Sequence, residues 1–198
     1  MITKLLIASN NKHKVYEFKK IFSKYNVEII TLQEANIYCD PEEKESSFKE
    51  NALIKARVIS EYTDLPIISD DSGLEIHALN GFPGVMSARF MEGRPYEEKY
   101  IEILKMMKDK KDKSANFKTV LCLYNLEKDP LFFEGIVEGE IVSSKGDNGF
   151  GYDPIFYSCD LHKTFGQAED EEKNSVSHRG RAIEKMIEYL KENKYIGR

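Results

Sequence analysis

An apolar run leads directly into two adjacent carboxylates in the stretch Pro66-Ile67-Ile68-Ser69-Asp70-Asp71-Ser72-Gly73-Leu74. The apolar residues predict a short buried strand, and the polar residues from Ser69 to Gly73 predict a turn. Ligands of open α/β sheets bind beyond the carboxyl ends of the strands, so this turn would bring both carboxylates to a binding edge. The same residues also fit an ordinary polar turn, and the acid pair alone does not establish a site.

Strands and helices alternate through the first half of the chain. Lys4–Ser9 and Val27–Leu32 predict buried strands. Apolar residues at helical spacing follow these strands in Val15–Phe22 and in Phe48–Tyr62. A strand, a polar loop and a helix in this order can place a helix N-terminus against an anion.

The second half of the chain has a different pattern. A helix is predicted from about Pro95 to Met107, followed by two long segments of β character, Phe117–Leu126 and Leu131–Val142, which read as an antiparallel hairpin. A last helix is predicted over His178–Glu192. Together with the alternation in the first half, this pattern predicts an α/β fold with a mixed sheet.

Composition and charge narrow the class of protein. The 198 residues include 29 lysines and arginines against 34 aspartates and glutamates, a net charge of −5 that argues against a nucleic-acid partner. Three cysteines without a Cys-x-x-Cys pair indicate neither a disulfide framework nor a zinc site, and they favour a reducing cytoplasm. The first apolar run is too short for a signal peptide, and no stretch approaches a membrane span of roughly 18 apolar residues.

Two further segments carry side chains that suit a phosphate ligand and its metal. The acidic loop around Glu43 precedes a helix that opens with the capping-box pair Ser47 and Glu50, and Lys55 follows on that helix. Carboxylates are the protein ligands that Mg²⁺ prefers, usually one or two at a time. The polar run Ser9-Asn10-Asn11-Lys12-His13-Lys14 offers hydroxyl, amide and ammonium donors, although it lacks the glycines of a Walker A loop. Each segment also fits a solvated loop or an ordinary helix cap.

Two segments near the C-terminus suit a nucleobase. In Gly149-Phe150-Gly151-Tyr152-Asp153-Pro154, glycines flank an aromatic ring, so the backbone can approach a planar ligand while the ring stacks on it. In Lys173-Asn174-Ser175-Val176-Ser177-His178-Arg179-Gly180, an imidazole and a guanidinium at a helix start can donate hydrogen bonds to the keto oxygen of a purine. A glycine-proline turn and a helix cap at Ser177 are the corresponding structural interpretations.

In this order and at these intervals, the segments resemble the inosine/xanthosine triphosphate pyrophosphatase family, also called dITP/XTP diphosphatases, over essentially the whole chain. Ser69–Leu74 is similar to the family's Asp-Asp-Ser-Gly-Leu signature, and Ser9–Lys14 to its Thr/Ser-x-Asn-x-x-Lys phosphate loop. The remaining similar segments are Glu42-Glu43 with Ser47-Phe48-x-Glu50-Asn51-Ala52 and Lys55-Ala56, Gly81-x-Pro83-Gly84-Val85-x-Ser87-Ala88-Arg89, Phe150-Gly151-Tyr152-Asp153-Pro154 and Ser177-His178-Arg179-Gly180.

The resemblance implies a fold, a reaction and a set of roles. The fold would be a single domain of residues 1–198 with an elongated mixed β-sheet flanked by helices and two lobes around a central active-site cleft, usually in a homodimer. The reaction would be hydrolysis of ITP, dITP and XTP to the monophosphate and pyrophosphate. Asp71 would be the catalytic residue and, with Glu43, would bind Mg²⁺. The implied substrate-binding residues are Ser9, Asn10, Asn11, Lys12, His13, Lys14, Lys55, Ser72, Phe150, Gly151, Tyr152, Asp153, Lys173, His178 and Arg179.

Three other functions stay open at this point. A pyrophosphatase for other modified nucleotides would share the fold and differ in base choice. A nucleotide-binding module would bind ITP without magnesium-dependent turnover. A phosphatase with Asp70 or Asp71 as nucleophile would form a covalent phosphoenzyme, but its second acid is expected two residues further on, not adjacent.

Overall fold

The computed structural model describes residues 1–197 of the chain. Within that range there are five α-helices, α1 (Lys12–Phe22), α2 (Phe48–Ser60), α3 (Tyr96–Met106), α4 (Asp170–Val176) and α5 (His178–Glu192). The strands described there are β1 (Lys4–Ile7), β2 (Glu28–Thr31), β3 (Ile67–Ile76), β4 (Ser114–Tyr124), β5 (Leu131–Ile141), β6 (Phe156–Ser158) and β7 (Lys163–Thr164).

All seven strands join one mixed sheet in the order β2-β1-β3-β4-β5-β6-β7. β1 pairs in parallel with both β2 and β3, whereas β6 pairs antiparallel with both β5 and β7. β4 and β5 are neighbours joined by residues 125–130, a connection too short for a parallel crossover, so they form the predicted hairpin. The predicted α/β fold, with a mixed sheet flanked by helices, is confirmed.

The described chain divides into two compact units. Unit 1 comprises residues 1–71, 119–134 and 182–197, and unit 2 comprises residues 72–118 and 135–181. That the whole chain is one domain with two lobes and a central cleft stays a prediction.

Unit 1 buries both faces of its strands. Leu5 and Ile7 of β1 face one apolar cluster, which contains side chains of α1 and α5, and Leu6 and Ala8 face a second cluster, which contains side chains of α2. Alternate residues of a strand point to opposite faces, so a strand covered on both sides must be apolar throughout. The burial of both faces of β1 therefore explains the continuous apolar run at the start of the sequence.

Unit 2 has an apolar core rich in aromatic side chains. Ile103 and Met107, at the end of α3, pack with Phe117 of β4 and with Phe156 and Phe165. The ring of Phe117 lies 4.6 Å from that of Phe156 and 6.1 Å from that of Phe165, measured between centroids. This aromatic cluster gives unit 2 a rigid base for the polar side chains described below.

The predicted turn at Ser69–Gly73 is wrong. These five residues continue β3, which runs unbroken for ten residues from Ile67 to Ile76. Gly73 adopts an ordinary strand conformation and is needed for space, because a Cβ there would lie 2.2 Å from the Gly84 carbonyl oxygen. Asp70 and Asp71 therefore project from opposite faces of a strand and do not follow one.

Shorter features also differ from the expectation. The sequence pattern did not predict α4, β6 or β7, because elements of two to seven residues show too little periodicity. Ser47 caps α2, since its hydroxyl accepts a hydrogen bond from the Glu50 N–H at 3.2 Å. The Ser47 hydroxyl also donates a hydrogen bond of 2.8 Å to the Glu50 carboxylate. In the predicted capping box this carboxylate would instead accept from the Ser47 backbone N–H.

Within residues 1–197, no helix is both long and apolar enough to cross a bilayer. Cys39, Cys122 and Cys159 are all free thiols. Cys122 lies in the second apolar cluster of unit 1 with no exposed surface, and this burial raises the pKa of its thiol to about 12.

We expect Cys122 to be inert in the folded protein, because the thiolate is the reactive species and solvent does not reach it. In a Cys39→Ser, Cys159→Ser double variant, a chromogenic disulfide reagent at neutral pH should titrate almost no thiol until denaturant is added. The same variant in guanidinium, which should titrate one thiol, is the control. Rapid modification under native conditions would contradict the burial of Cys122.

Candidate active site

Unit 1 buries the carboxylate of Asp70 against two donors. Lys14, at the start of α1, places its Nζ 2.5 Å from Asp70 Oδ1, and the side chain of Asp70 has no exposed surface. The Thr119 hydroxyl on β4 lies 3.2 Å from Asp70 Oδ2 and 3.2 Å from the Asp71 carbonyl oxygen. Helix α1 and strand β4 are thus both tied to β3 at the pair of acids.

Lys55 brings a second ammonium group to the same part of β3. From α2 its Nζ lies 2.5 Å from Glu43 Oε1 and 3.7 Å from Asp71 Oδ1. It also donates a hydrogen bond of 2.7 Å to the Asp70 carbonyl oxygen. One cation therefore lies between the two carboxylates that the sequence assigned to a metal.

The acidic loop is held in place by Asn51, one turn before Lys55 on α2. Asn51 Oδ1 accepts a hydrogen bond from the Glu45 N–H at 3.0 Å, and its Nδ2 lies 3.4 Å from the Glu45 carbonyl oxygen. Asn51 and Lys55 lie on one face of the helix because they are four residues apart. That face therefore sets both the path of the loop and the position of the Glu43 carboxylate.

The surroundings of Asp71 raise the pKa of its carboxyl group. Burial is the largest influence and raises the pKa of Asp71 above the usual range, and the carboxylate of Glu43 raises it further. Lys55 and Lys14 act in the opposite direction. A carboxylate with a raised pKa is a stronger base whenever it is ionised, which suits a group that accepts a proton from water.

The donor set of unit 1 fits a hard divalent cation. Glu43 and Asp71 supply two carboxylates that already enclose one positive group, the ammonium of Lys55. Among residues 1–197, no three histidine, cysteine or acidic side chains come together as a ready-made metal cage. Magnesium suits such a site, because it usually takes one or two carboxylates and completes its octahedron with water and phosphate oxygens.

The predicted phosphate loop forms the start of α1. Asn11 caps the helix, and its Oδ1 accepts hydrogen bonds from the His13 N–H at 3.0 Å and the Lys14 N–H at 3.2 Å. The Ser9 hydroxyl accepts from the Asn11 N–H at 3.2 Å. The side chains of this run that the structure leaves exposed are Asn10, Asn11, Lys12 and His13.

Unit 2 joins Ser72 to the C-terminal segments through Arg179. The guanidinium of Arg179 is almost fully buried and donates a hydrogen bond of 3.0 Å to the Ser72 hydroxyl. The same guanidinium lies 5.9 Å from the centroid of the Phe150 ring. Two predicted substrate-binding segments that are about a hundred residues apart in sequence thus meet at one side chain.

A buried ion pair organises the loop that carries Phe150. Lys173 of α4 lies 2.8 Å from Asp153 Oδ2, and this carboxylate also accepts a hydrogen bond of 2.8 Å from the Phe150 N–H. The Lys173 ammonium is 4.6 Å from the centroid of the Phe150 ring, within cation–π range. Gly149 has a φ of +73°, and a Cβ there would lie 2.1 Å from Asp153 Oδ2, so only glycine allows this arrangement.

His178 begins α5 and is held by the aromatic core. Its ring stacks on Phe117 with a centroid distance of 4.9 Å and an interplanar angle of 14°. Ser177 caps the helix, as expected, because its hydroxyl accepts a hydrogen bond from the Gly180 N–H at 3.0 Å. Of the other predicted residues, Gly151 lies beside the ring of Tyr96, and Tyr152 is buried with its hydroxyl on the Ser87 carbonyl oxygen.

Sequence reasoning left out three side chains that hold these groups in place. Thr119 lies in an apolar strand and gave no polar signal of its own. Asn51 was part of a segment similar to the family but received no role. Ser87 was part of a recognised segment but received no role. Each forms hydrogen bonds with the backbone or with another side chain of the protein. Such contacts depend on which strands and loops are neighbours in the folded structure, and the sequence does not show this.

Comparison with known proteins agrees with this arrangement of segments. The sequence profile of the Ham1 family matches residues 5–189. A dITP/XTP pyrophosphatase of Thermoanaerobacter pseudethanolicus is 43% identical over 191 residues, which cover 94% of this chain and 96% of that protein. A dITP/XTP pyrophosphatase of Staphylococcus aureus is 41% identical over 188 residues, which cover 94% of this chain and 95% of that protein.

Solved structures give the same result. A HAM1 protein from Coxiella burnetii has a TM-score of 0.88 at 38% identity, and the match covers 97% of this chain and all of that one. The Ham1 protein of Staphylococcus aureus has a TM-score of 0.86 at 38% identity, covering 96% of this chain and 99% of that one. The resemblance seen in the sequence segments is therefore confirmed, and the chain belongs to the Ham1 family.

Proposed function

We propose that this protein hydrolyses non-standard purine nucleoside triphosphates, namely dITP, ITP and XTP, to the monophosphate and pyrophosphate. The observation that carries the proposal is the pair of carboxylates, Glu43 and Asp71, enclosing the Lys55 ammonium in unit 1. A triphosphate brings about four negative charges, so its hydrolysis needs cationic groups at the point where a base activates water. The curated relatives named dITP/XTP pyrophosphatases support this reaction over other phosphate chemistry.

Asp71 is the residue best suited to accept the proton of the attacking water. Its carboxylate is buried, and its raised pKa strengthens it as a base. In the proposed step, Asp71 orients a water molecule and takes its proton as the oxygen attacks the α-phosphorus, and pyrophosphate leaves. Because Asp71 acts on water, no phosphoenzyme is formed, which separates this mechanism from that of an aspartyl-phosphate phosphatase.

Lys14, Lys55 and the exposed donors at the start of α1 would bind the phosphates. Asp70 of β3 holds the Lys14 ammonium and Glu43 of the acidic loop holds that of Lys55, at 2.5 Å each. They are therefore positioned before substrate arrives, and little ordering of long side chains is needed on binding. Ser72, fixed by Arg179, supplies a hydroxyl for the same purpose.

Magnesium is the cofactor that this donor set favours, held by Glu43 and Asp71. When bound, it would neutralise phosphate charge and lower the pKa of coordinated water.

The homodimer and the cytoplasmic location expected from the sequence are further proposals, which the size of the protein in solution and its cellular fractionation would test.

Base choice would come from unit 2. The Phe150 ring offers a stacking surface backed by the cations Lys173 and Arg179. His178 and Arg179 would donate hydrogen bonds to a purine keto oxygen. An adenine amino group in that position would leave the donors unpaired, at a cost of about 1–3 kcal/mol for each buried group.

Asp71→Asn is expected to lower kcat for dITP at least about 100-fold, because the amide cannot accept the proton. Asp70→Asn is the matched control, since Asp70 holds Lys14 and takes no part in the proton transfer, and its loss of kcat should be smaller. Steady-state pyrophosphate release and circular dichroism of both variants would be compared with the parent. Hydrolysis of dITP by the folded Asp71 variant at the parent rate would exclude Asp71 as the base.

The first product should be inorganic pyrophosphate, and its release should require magnesium. A panel of dITP, XTP, dATP, dGTP and dUTP, assayed with magnesium and with a chelator, should show greater turnover of dITP and XTP than of dATP, because adenine lacks the keto oxygen that His178 and Arg179 would recognise. Orthophosphate released in steps would indicate a phosphatase instead. Preferred turnover of a pyrimidine nucleotide would indicate a pyrophosphatase for other modified nucleotides, and binding of ITP without turnover would indicate a nucleotide-binding module.

A further inference from the structure

One recognised segment, Gly81–Arg89, has no part in the proposed mechanism, yet its Ser87 contacts β3 directly. The Ser87 hydroxyl accepts a hydrogen bond of 2.9 Å from the Leu74 N–H and donates one of 2.6 Å to the Gly84 carbonyl oxygen. Leu74 follows Asp71 by three residues on the same strand. A side-chain hydroxyl thus supplies the hydrogen-bond acceptor for a strand N–H close to the proposed base.

The contact between Ser87 and β3 leaves no free space. A Cβ on Gly73 would lie 2.6 Å from Ser87 Oγ and 2.2 Å from the Gly84 carbonyl oxygen. The β3 backbone therefore lies directly against the Ser87 side chain. Since a packed interior does not deform smoothly, a shift of Ser87 must shift Gly73 and Leu74 as well.

Two buried side chains hold the backbone of Ser87 in turn. The Tyr152 hydroxyl donates a hydrogen bond of 2.8 Å to the Ser87 carbonyl oxygen, and Lys99 Nζ donates one of 2.8 Å to the next carbonyl oxygen, that of Ala88. Tyr96 connects these two donors, because its ring packs edge-to-face on Tyr152 at 5.3 Å and lies 4.6 Å from the Lys99 ammonium. Two successive peptide carbonyl groups, those of Ser87 and Ala88, thus each accept a hydrogen bond from a buried side chain.

Placing the charged side chain of Lys99 at this buried position costs it the hydration of its ammonium group. It is buried, and burial lowers the pKa of its ammonium group, with Glu92 acting against that effect. An apolar side chain of similar length would avoid the desolvation of a charge. What the lysine adds is a strong, directed hydrogen bond to the Ala88 carbonyl oxygen.

We propose that Ser87 is a positioning residue for the hydrolytic reaction. Its hydroxyl sets the path of β3 at Gly73 and Leu74, in the part of the strand that carries Ser72 and follows Asp71 in the chain. Tyr152 and Lys99 set the position of Ser87. This inference rests on the proposed function, because it assigns Ser87 to the strand segment that follows the proposed base.

Ser87→Ala tests the proposal, because it removes the hydroxyl that accepts from the Leu74 N–H and donates to the Gly84 carbonyl oxygen. We expect kcat for dITP to fall by about tenfold or more while KM changes by less than about threefold, since Ser87 is expected to touch no part of the substrate. Amide hydrogen exchange at Leu74, followed by NMR, should accelerate by about tenfold or more, while exchange at Leu6 and Leu121 stays at the parent rate.

Two further variants keep the test decisive if Ser87→Ala fails to fold. Tyr152→Phe and Lys99→Met each remove one donor and keep the size of the side chain, so each should lower kcat and accelerate Leu74 exchange in the same direction, to a smaller extent. Lys105→Met is the matched control, because this lysine lies on α3 but is exposed and paired only with Glu102 in the described chain, and it should behave as the parent.

Unchanged exchange at Leu74 in folded Ser87→Ala would overturn the proposal, whatever the effect on kcat. Accelerated exchange with the parent kcat would also overturn it, because the bond would then be structural only. Failure of the parent to hydrolyse any nucleotide in the panel would instead overturn the proposed function, and exchange at Leu74 would still decide whether Ser87 fixes β3.

Discussion

Two carboxylates buried in the middle of β3 are neutralised by two lysine ammonium groups, and the organisation of unit 1 depends on this. Asp70 is paired with Lys14, and Asp71 lies near Lys55, which also binds Glu43. An uncompensated charge at these positions would be strongly destabilising, so the strand can carry two acids only where helices deliver two cations. The pairing therefore fixes α1 and α2 against β3, and the same groups are the ones that a triphosphate and its metal would meet.

In unit 2 the buried cations contact an aromatic ring, and one of them also binds a side chain of β3. Lys173 and Arg179 both lie within cation–π range of Phe150, and each is also fixed by a polar partner, Asp153 or Ser72. The ring is consequently held before any base stacks on it. Rigid, buried supports of this kind place catalytic and binding groups more accurately than exposed loops do.

The central Asp-Asp segment shows where sequence reasoning failed and why. Polar residues with a glycine usually mark a turn, and that pattern predicted one at Ser69–Gly73. The segment is instead a strand, because its carboxylates find ammonium partners and its glycine admits the Gly84 carbonyl oxygen. Local composition cannot reveal the ammonium partners of the acids or the carbonyl group beside the glycine, since both come from residues distant in sequence. The same limit explains why Thr119 and Ser87 received no role.

The sequence alone determined the α/β class, most of the strands and helices, the family and the residue types that suit nucleotide chemistry. These follow from hydrophobic periodicity and from the order and spacing of short segments, which are properties of the chain itself. Only the tertiary structure decided that β3 runs straight through the acid pair, that Lys55 lies between Glu43 and Asp71, and that Ser87 supports Leu74. Each of these depends on contacts between residues that the chain keeps far apart, where burial makes an unpaired charge or N–H too costly to leave.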